Sequence, residues 1–234
     1  MDKSLFPPPF IQDLFQLFFP KICAVCDCPL IHQEQFLCIS CLIKLPKLRL
    51  YHLPDNQAAR RLWGKFHFDH VSAFLELEQK SISGKLIKQI KYKHTALICS
   101  YLAYLYASEL KRLQVLQAVD LIIPIPLSKR KMAKRGYNQS EFIAQGIASV
   151  YQLPVAEQLL QRNEAPYSQT KLGRIARFDE LKDVFYIESS IPKPCQHILL
   201  VDDVITTGAT ITAAGNYLRK RFDGKISVCS LFLA

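Results

Sequence analysis

Apolar and polar positions change period several times along this 234-residue chain, and the changes predict strands alternating with helices. Short unbroken apolar runs at 119–124, 197–201 and 225–231 read as strands buried on both faces, and 70–77 reads as another. Between them the period lengthens. Residues 82–92 place Ile82, Leu86, Ile87 and Ile90 on one helical face, with Lys85, Lys88 and Lys91 elsewhere. Further helices are predicted at 95–116, 140–150 and 209–220, and a weak strand at 154–159. An amphipathic helix over 10–19 would be ended by Pro20, whereas 162–178 is polar, basic and without a period, as a long loop or hairpin would be. The alternation predicts an α/β domain with a largely parallel sheet flanked by helices.

Composition narrows the partners. Hydrophobic residues make up 50% of the chain, enough for a real core, and the formal charge of +10 favours polyanions: phosphorylated metabolites, nucleic acid or an anionic membrane face. The Phe-rich start is interrupted by Asp2, Pro7 to Pro9 and Asp13, so it reads as a retained segment and not an export signal. The chain's uncharged stretches are too short for a membrane span, so no span is expected and the cytoplasm is the default compartment. In that compartment the eight cysteines read as metal ligands and core residues.

Cys23, Cys26, Cys28, Cys38 and Cys41 crowd together, while Cys99, Cys195 and Cys229 lie in apolar surroundings. The pairs Cys23/Cys26 and Cys38/Cys41 have the spacing of two zinc knuckles completing a four-thiolate structural site, with Cys28 left as a competitor or a bystander. This divides the chain into an amphipathic helix plus cysteine module (1–45), a basic linker with Pro46 and Pro54 (46–65), and a larger domain (66–234). Trp63, among Arg60, Arg61 and Lys65, either stacks a base or anchors the linker to the core.

The most informative stretch is 198–210: a buried apolar strand, the acids Asp202 and Asp203 at its end, then Thr206, Thr207, Gly208, Ala209 and Thr210 leading into a helix. Ligands of open α/β sheets bind at the carboxyl ends of strands. The turn offers backbone N–H groups, hydroxyls and a helix N-terminus to a phosphate, and two adjacent carboxylates suit a vicinal diol or Mg²⁺ held through water. These thirteen residues resemble the phosphoribosyl-diphosphate signature of type I phosphoribosyltransferases. That resemblance implies that Asp202 and Asp203 bind the ribose hydroxyls and that Thr206 to Thr210 cradle the 5′-phosphate.

A second apolar strand ends in Pro124-Ile125-Pro126-Leu127 and is followed by Lys129, Arg130, Lys131, Lys134 and Arg135-Gly136-Tyr137-Asn138-Gln139. No acid lies between Asp120 and Glu141, so these cations want an anion, and Lys131 and Arg135 are the candidate diphosphate ligands. The order of these motifs, with Arg162, Gln169, Arg174 and Arg177 and then the signature, resembles the ComF family of competence-associated proteins over nearly the whole chain. The departure is Asp179, where members commonly carry Asn. The resemblance implies a type I phosphoribosyltransferase-like fold behind a zinc module, and partners that include phosphoribosyl diphosphate or a similar sugar phosphate, single-stranded DNA and other competence proteins. The segment from Arg162 to Thr170 would be the catalytic loop, with Arg162 or Lys171 closing over the site. Three functions stay open: Mg²⁺-dependent phosphoribosyl transfer to an acceptor whose site the sequence does not reveal, single-stranded DNA binding in natural transformation without transfer, and a purely structural link between partner proteins.

Overall fold

A computed structural model describes residues 20–92, 95–163 and 184–234. The expected helix at 10–19 lies outside these residues, as do Gln169, Lys171, Arg174, Arg177 and Asp179. Two short helices come first, α1 (Ile39–Ile43) and α2 (Gln57–Leu62), then β1 (His70–Glu76), α3 (Ile82–Tyr92), α4 (Ala96–Arg112) and β2 (Leu121–Pro124). There follow α5 (Lys129–Arg135), α6 (Gln139–Tyr151), β3 (Leu160–Arg162), β4 (Phe185–Ile187), β5 (His197–Ile205), α7 (Ala209–Arg219) and β6 (Lys225–Leu233).

Four strands form one sheet in the order β1-β6-β5-β2, every neighbouring pair parallel. Their apolar runs are continuous because both faces are buried. On one face Phe74, Ile122, Leu199, Val201 and Leu231 meet α3, α4 and α6 through Leu86, Leu102, Tyr106 and Ile143. On the other, Val71, Ile123, Ile198, Leu200 and Val228 meet α2, α7 and the β3–β4 hairpin through Leu62, Ile211, Leu218 and Phe185. The period of two along each strand thus sorts one apolar run into two cores.

Several expectations are met and several corrected. The sheet is parallel and helix-flanked as expected. The strand expected at 154–159 is displaced: Val155 makes only a bridge to Ile122, and the strand forms at Leu160–Arg162, antiparallel to β4. Arg162, read as the first residue of the long loop, is the last residue of β3. The basic run after β2 forms helix α5, whose N-terminus is capped by the Ser128 hydroxyl and whose end is turned by Gly136 at φ 76°.

The stretch read as a basic linker, 46–65, packs on the core. Leu48 N–H donates to the Phe74 carbonyl (2.9 Å) and Glu76 N–H to that of Pro46 (2.9 Å), so this arm covers the free edge of β1. The Tyr51 hydroxyl and the Lys47 ammonium both reach Glu109 on α4. Asn56 is buried: its side-chain oxygen caps α2 by accepting from Ala58 and Ala59, and its amide donates to Val71 on β1. Proline and charge suggested a linker; Ala58, Ala59 and Leu62, all fully buried, make it part of the fold. The cysteine module shares a core too, since Val25 and Leu37 join the cluster around Leu86 and Leu102.

Candidate functional site

The acids stand where β2 stops and β5 does not. β2 pairs with β5 only as far as Pro124 opposite Val201, whereas β6 runs beside β5 to Ile205, so Asp202 and Asp203 lie within a longer strand than the predicted 197–201. On the β2 side they therefore face a crevice at the carboxyl edge of the sheet. Its walls come from the two helices that follow β2. Gly136 ends α5, and Asn138 starts α6 by accepting from Ser140 N–H while its amide donates to the Ile125 carbonyl beyond β2. The Tyr137 hydroxyl donates to the Ile90 carbonyl of α3. The Arg135–Gln139 motif is thus a hinge between helices that aims its neighbours at the acids.

Asp202 is buried, and its Oδ1 accepts from the Ser140 hydroxyl (3.3 Å) and from Asp203 N–H (2.8 Å). Burial first, then the charge of Asp203, pushes its carboxyl up to about 7. Asp203 Oδ2 lies 3.5 Å from Arg135 and 3.9 Å from Lys91, yet this buried atom accepts no hydrogen bond. Arg135 NH1 is committed to Gln139 Oε1 at 2.7 Å. Arg135, expected to await an anion, stands as a counter-charge beside Asp203. Lys131 is exposed on α5. With two cations already beside it, the acid pair does not fit direct ligation of Mg²⁺, and among the described residues the one group of three or more potential metal ligands is the cysteine cluster.

The turn after β5 is pinned from α2 and the residues just after it. Arg61 donates to the Thr206 carbonyl (3.2 Å) and Lys65 to that of Thr207 (2.6 Å). In a trans peptide the carbonyl and the following N–H point opposite ways, so the amides of Thr207 and Gly208 face away from these cations. Gly208 sits at φ 76° as the residue before α7, and a Cβ there would stand 2.2 Å from Leu62 Cδ2. Both the dihedral and the packing require glycine. Thr206 and Thr207 are exposed, and Ala209 and Thr210 begin α7. Arg162 stands on β3 with its guanidinium 5.6 Å from the centre of the Phe185 ring. No pattern in the sequence marks Lys91, Arg61, Lys65 or Ser140 as belonging to this site: each is one of many scattered polar residues until the fold brings it to the crevice.

At the N-terminal side a tight turn folds residues 22–29 back on themselves, with Cys23 N–H donating to the Cys28 carbonyl (2.8 Å). The sulfurs of Cys23, Cys26, Cys28 and Cys38 all lie within 4.8 Å of one another. This quartet differs from the expected ligand set by one member, Cys28 standing in for Cys41. Cys41 is buried on α1, and its thiol is raised by that burial and by hydrogen bonds to Cys26, Cys38 and Cys23. The Cys26–Cys38 separation of 3.7 Å matches the edge of about 3.8 Å that a tetrahedron of thiolates at ~2.3 Å requires. Hydrogen bonds from Cys28 draw the Cys26 thiol down to about 6, the thiolate form a metal needs. The donor set fits zinc, and four sulfurs would close the site to chemistry.

Fold and sites together define a parallel α/β protein with an acid pair at the carboxyl edge of its sheet and a metal-competent cysteine cluster packed against one core. Comparison with known proteins gives the family. The chain is 33% identical to competence protein F of Haemophilus influenzae over 150 residues, 62% of this chain and 66% of that protein. It is 30% identical to the DNA utilization protein YhgH of Escherichia coli K12, over 62% of this chain and 65% of that one. Competence protein ComFC of Streptococcus pneumoniae R6 matches at 32%, over 56% and 54%. This chain belongs to the ComF family of competence proteins. The matches span just under two thirds of the length of the first two relatives. No family model matches. A purine phosphoribosyltransferase from Pyrococcus horikoshii Ot3 aligns at a TM-score of 0.31 and 13% identity, over 57% of this chain and 81% of that one, too distant to argue from. Among the described residues no helix is long and apolar enough to cross a membrane.

Proposed function

We propose that the crevice binds a ribose 5-phosphate group, with phosphoribosyl diphosphate the leading ligand, and that the protein serves DNA uptake. The carrying observation is the buried Asp203 Oδ2, which has no hydrogen-bond donor, beside the more deeply buried Asp202. Buried acceptors without donors are rare and costly, and a ribose diol brings two hydroxyl donors to this place. The amides of Thr207 and Gly208 and the start of α7, with Ala209 and Thr210, would hold the 5′-phosphate. Exposed Lys131 would meet the diphosphate, and Arg162 with Lys171 would supply loop cations if the bound group is transferred. Mg²⁺ would then travel with the diphosphate and not with the acids. The role in DNA uptake rests on the names of the relatives, two of them competence proteins and one a DNA utilization protein.

The test is calorimetric titration of phosphoribosyl diphosphate into zinc-loaded protein. Asp202→Asn with Asp203→Asn should lower affinity by about 100-fold, the effect of removing two charge-assisted hydrogen bonds. Unchanged affinity in the double variant would remove the reading. A second reading, single-stranded DNA binding without transfer, is favoured by the exposure of Lys129, Arg130, Lys131 and Lys134 along α5. Lys131→Glu with Lys134→Glu should then flatten the salt dependence by about 0.7 in slope for each phosphate left without its cation. Arg135, being paired with Asp203, is left out of that test.

A further inference from the structure

The cysteine module carries apolar side chains on its outside. Ile22, Ile31, Ile39 and Ile43 are 54%, 68%, 59% and 76% exposed, and no other isoleucine among the described residues is exposed at all strongly. The cysteines explain the direction. Ile22 precedes buried Cys23, Ile39 follows buried Cys38, and Ile43 stands two past buried Cys41 on α1, about 200° round the helix from it. Turning the thiols inward turns these neighbours out. Short connections then gather the four into one neighbourhood. The Glu34 carboxylate accepts from both Ile31 N–H (2.9 Å) and Ile39 N–H (2.6 Å), Ile39 and Ile43 are one turn apart on α1, and Ile22 bridges to Pro29, two positions before Ile31. Single apolar residues scattered on a surface need no explanation, whereas a gathered isoleucine face does.

The same chain supplies an occupant. At helical spacing, residues 10–19 place Phe10, Leu14, Leu17 and Phe18 on one face, with Ile11 and Phe15 beside it and Gln12, Asp13 and Gln16 opposite. Isolated helices shorter than about 12–15 residues are marginal in water, so a helix of this length needs its apolar face covered. Only Pro20 and Lys21 separate Phe19 from Ile22, a reach of at most about 11 Å. The exit is fixed as well, because Leu30 N–H donates to the Lys21 carbonyl (2.8 Å). So short a tether gives an effective concentration of roughly millimolar, which favours this segment over a freely diffusing second copy. Charge agrees with the pairing: the one charge in the segment is Asp13, and exposed Lys21 and Lys44 adjoin Ile22 and Ile43. We propose that residues 10–19 fold as an amphipathic helix that docks its apolar face on Ile22, Ile31, Ile39 and Ile43, covering the outer side of the cysteine module. None of these residues belongs to the crevice, so the proposal stands apart from the sugar-phosphate reading.

The experiment uses the full, zinc-loaded chain and follows amide hydrogen exchange of residues 10–19 by mass spectrometry, with oligomeric state measured by ultracentrifugation at the same concentrations. In the monomer these amides should exchange at least about tenfold more slowly than in an unstructured chain. Ile39→Ser with Ile43→Ser removes two exposed side chains from the face and should return the exchange to the unstructured rate, while zinc content and the protection of the β5 amides stay as in wild type. Ile43→Ser alone, at the most exposed of the four, should raise the exchange part of the way, and it decides the matter if the double variant loses zinc. Unprotected amides in wild type overturn the docking, as does protection that neither variant alters. Protection that appears only as the chain dimerises would give the face to a second copy, and protection that appears only with phosphatidylglycerol vesicles would give the segment to a lipid surface. Either result refutes a cover made within one chain.

Discussion

The sulfurs of the cysteine quartet come from residues 23–38, whereas the groups around Asp203 come from α3, α5, α6 and β5, with α2 fixing the turn beyond them. The first site is made by a local turn whose sulfurs are able to hold a metal; the second exists only when the sheet and its flanking helices are in place. A local site is governed by its ligand and a dispersed one by the packing around it. Perturbing each should therefore fail in a different way.

The largest effect belongs to the cysteines. Cys23→Ser or Cys38→Ser should abolish bound zinc, measured by atomic absorption, and lower Tm by about 10 °C or more, because structural zinc contributes folding energy directly. Five thiols for four places make the last place redundant. Cys28→Ser and Cys41→Ser should each keep one zinc, and the pair together should lose it to a chelator; loss in either single variant would break the redundancy and name the ligand.

At the crevice, Gly208→Ala forces a methyl into Leu62 and strains φ, so unfolding should become easier by about 2–3 kcal/mol in denaturant titration. Asp202→Asn should do the opposite. Its carboxyl is held at about 7 against an ordinary 3.8, so the folded state binds the proton more tightly than the unfolded chain does. Stability is then lost as pH rises through that window and is fully lost above it. The substitution should raise Tm at pH 8 by about 5 °C, with the gain fading towards pH 4. The smallest effect is expected at Tyr51→Phe, about 1 kcal/mol for the hydrogen bond to Glu109, with zinc content untouched.

Legibility followed the same division. The acids, the Thr-Gly turn and the cysteines could be read because each motif is contiguous or closely spaced, and the parallel sheet because its buried strands are unbroken apolar runs. Helix α2 was hidden because only Ala58, Ala59 and Leu62 carry its apolar face, amid prolines and arginines. Helix α5 has no buried residue at all; its existence depends on the Ser128 cap and the Gly136 turn. The sequence pattern places Lys91 off the apolar face of α3 and no further, and only the placement of β5 brings it to Asp203. The choice between Arg135 as anion ligand and as counter-ion could not be made from charge counting, since its partner lies 68 positions away, 203 less 135.

The hydrogen bonds from Arg61 and Lys65 to the Thr206 and Thr207 carbonyls have a consequence for affinity that involves no contact with a ligand. An unpinned turn would have to give up backbone freedom on closing around an anion, at about 1–2 kcal/mol per residue ordered. Here that ordering is done during folding, so under the proposed ribose 5-phosphate reading a phosphate would meet amides already aimed outward. Removing the Lys65 ammonium should leave every ligand-binding group available and still slow capture, because the turn would spend part of its time with its N–H groups facing elsewhere.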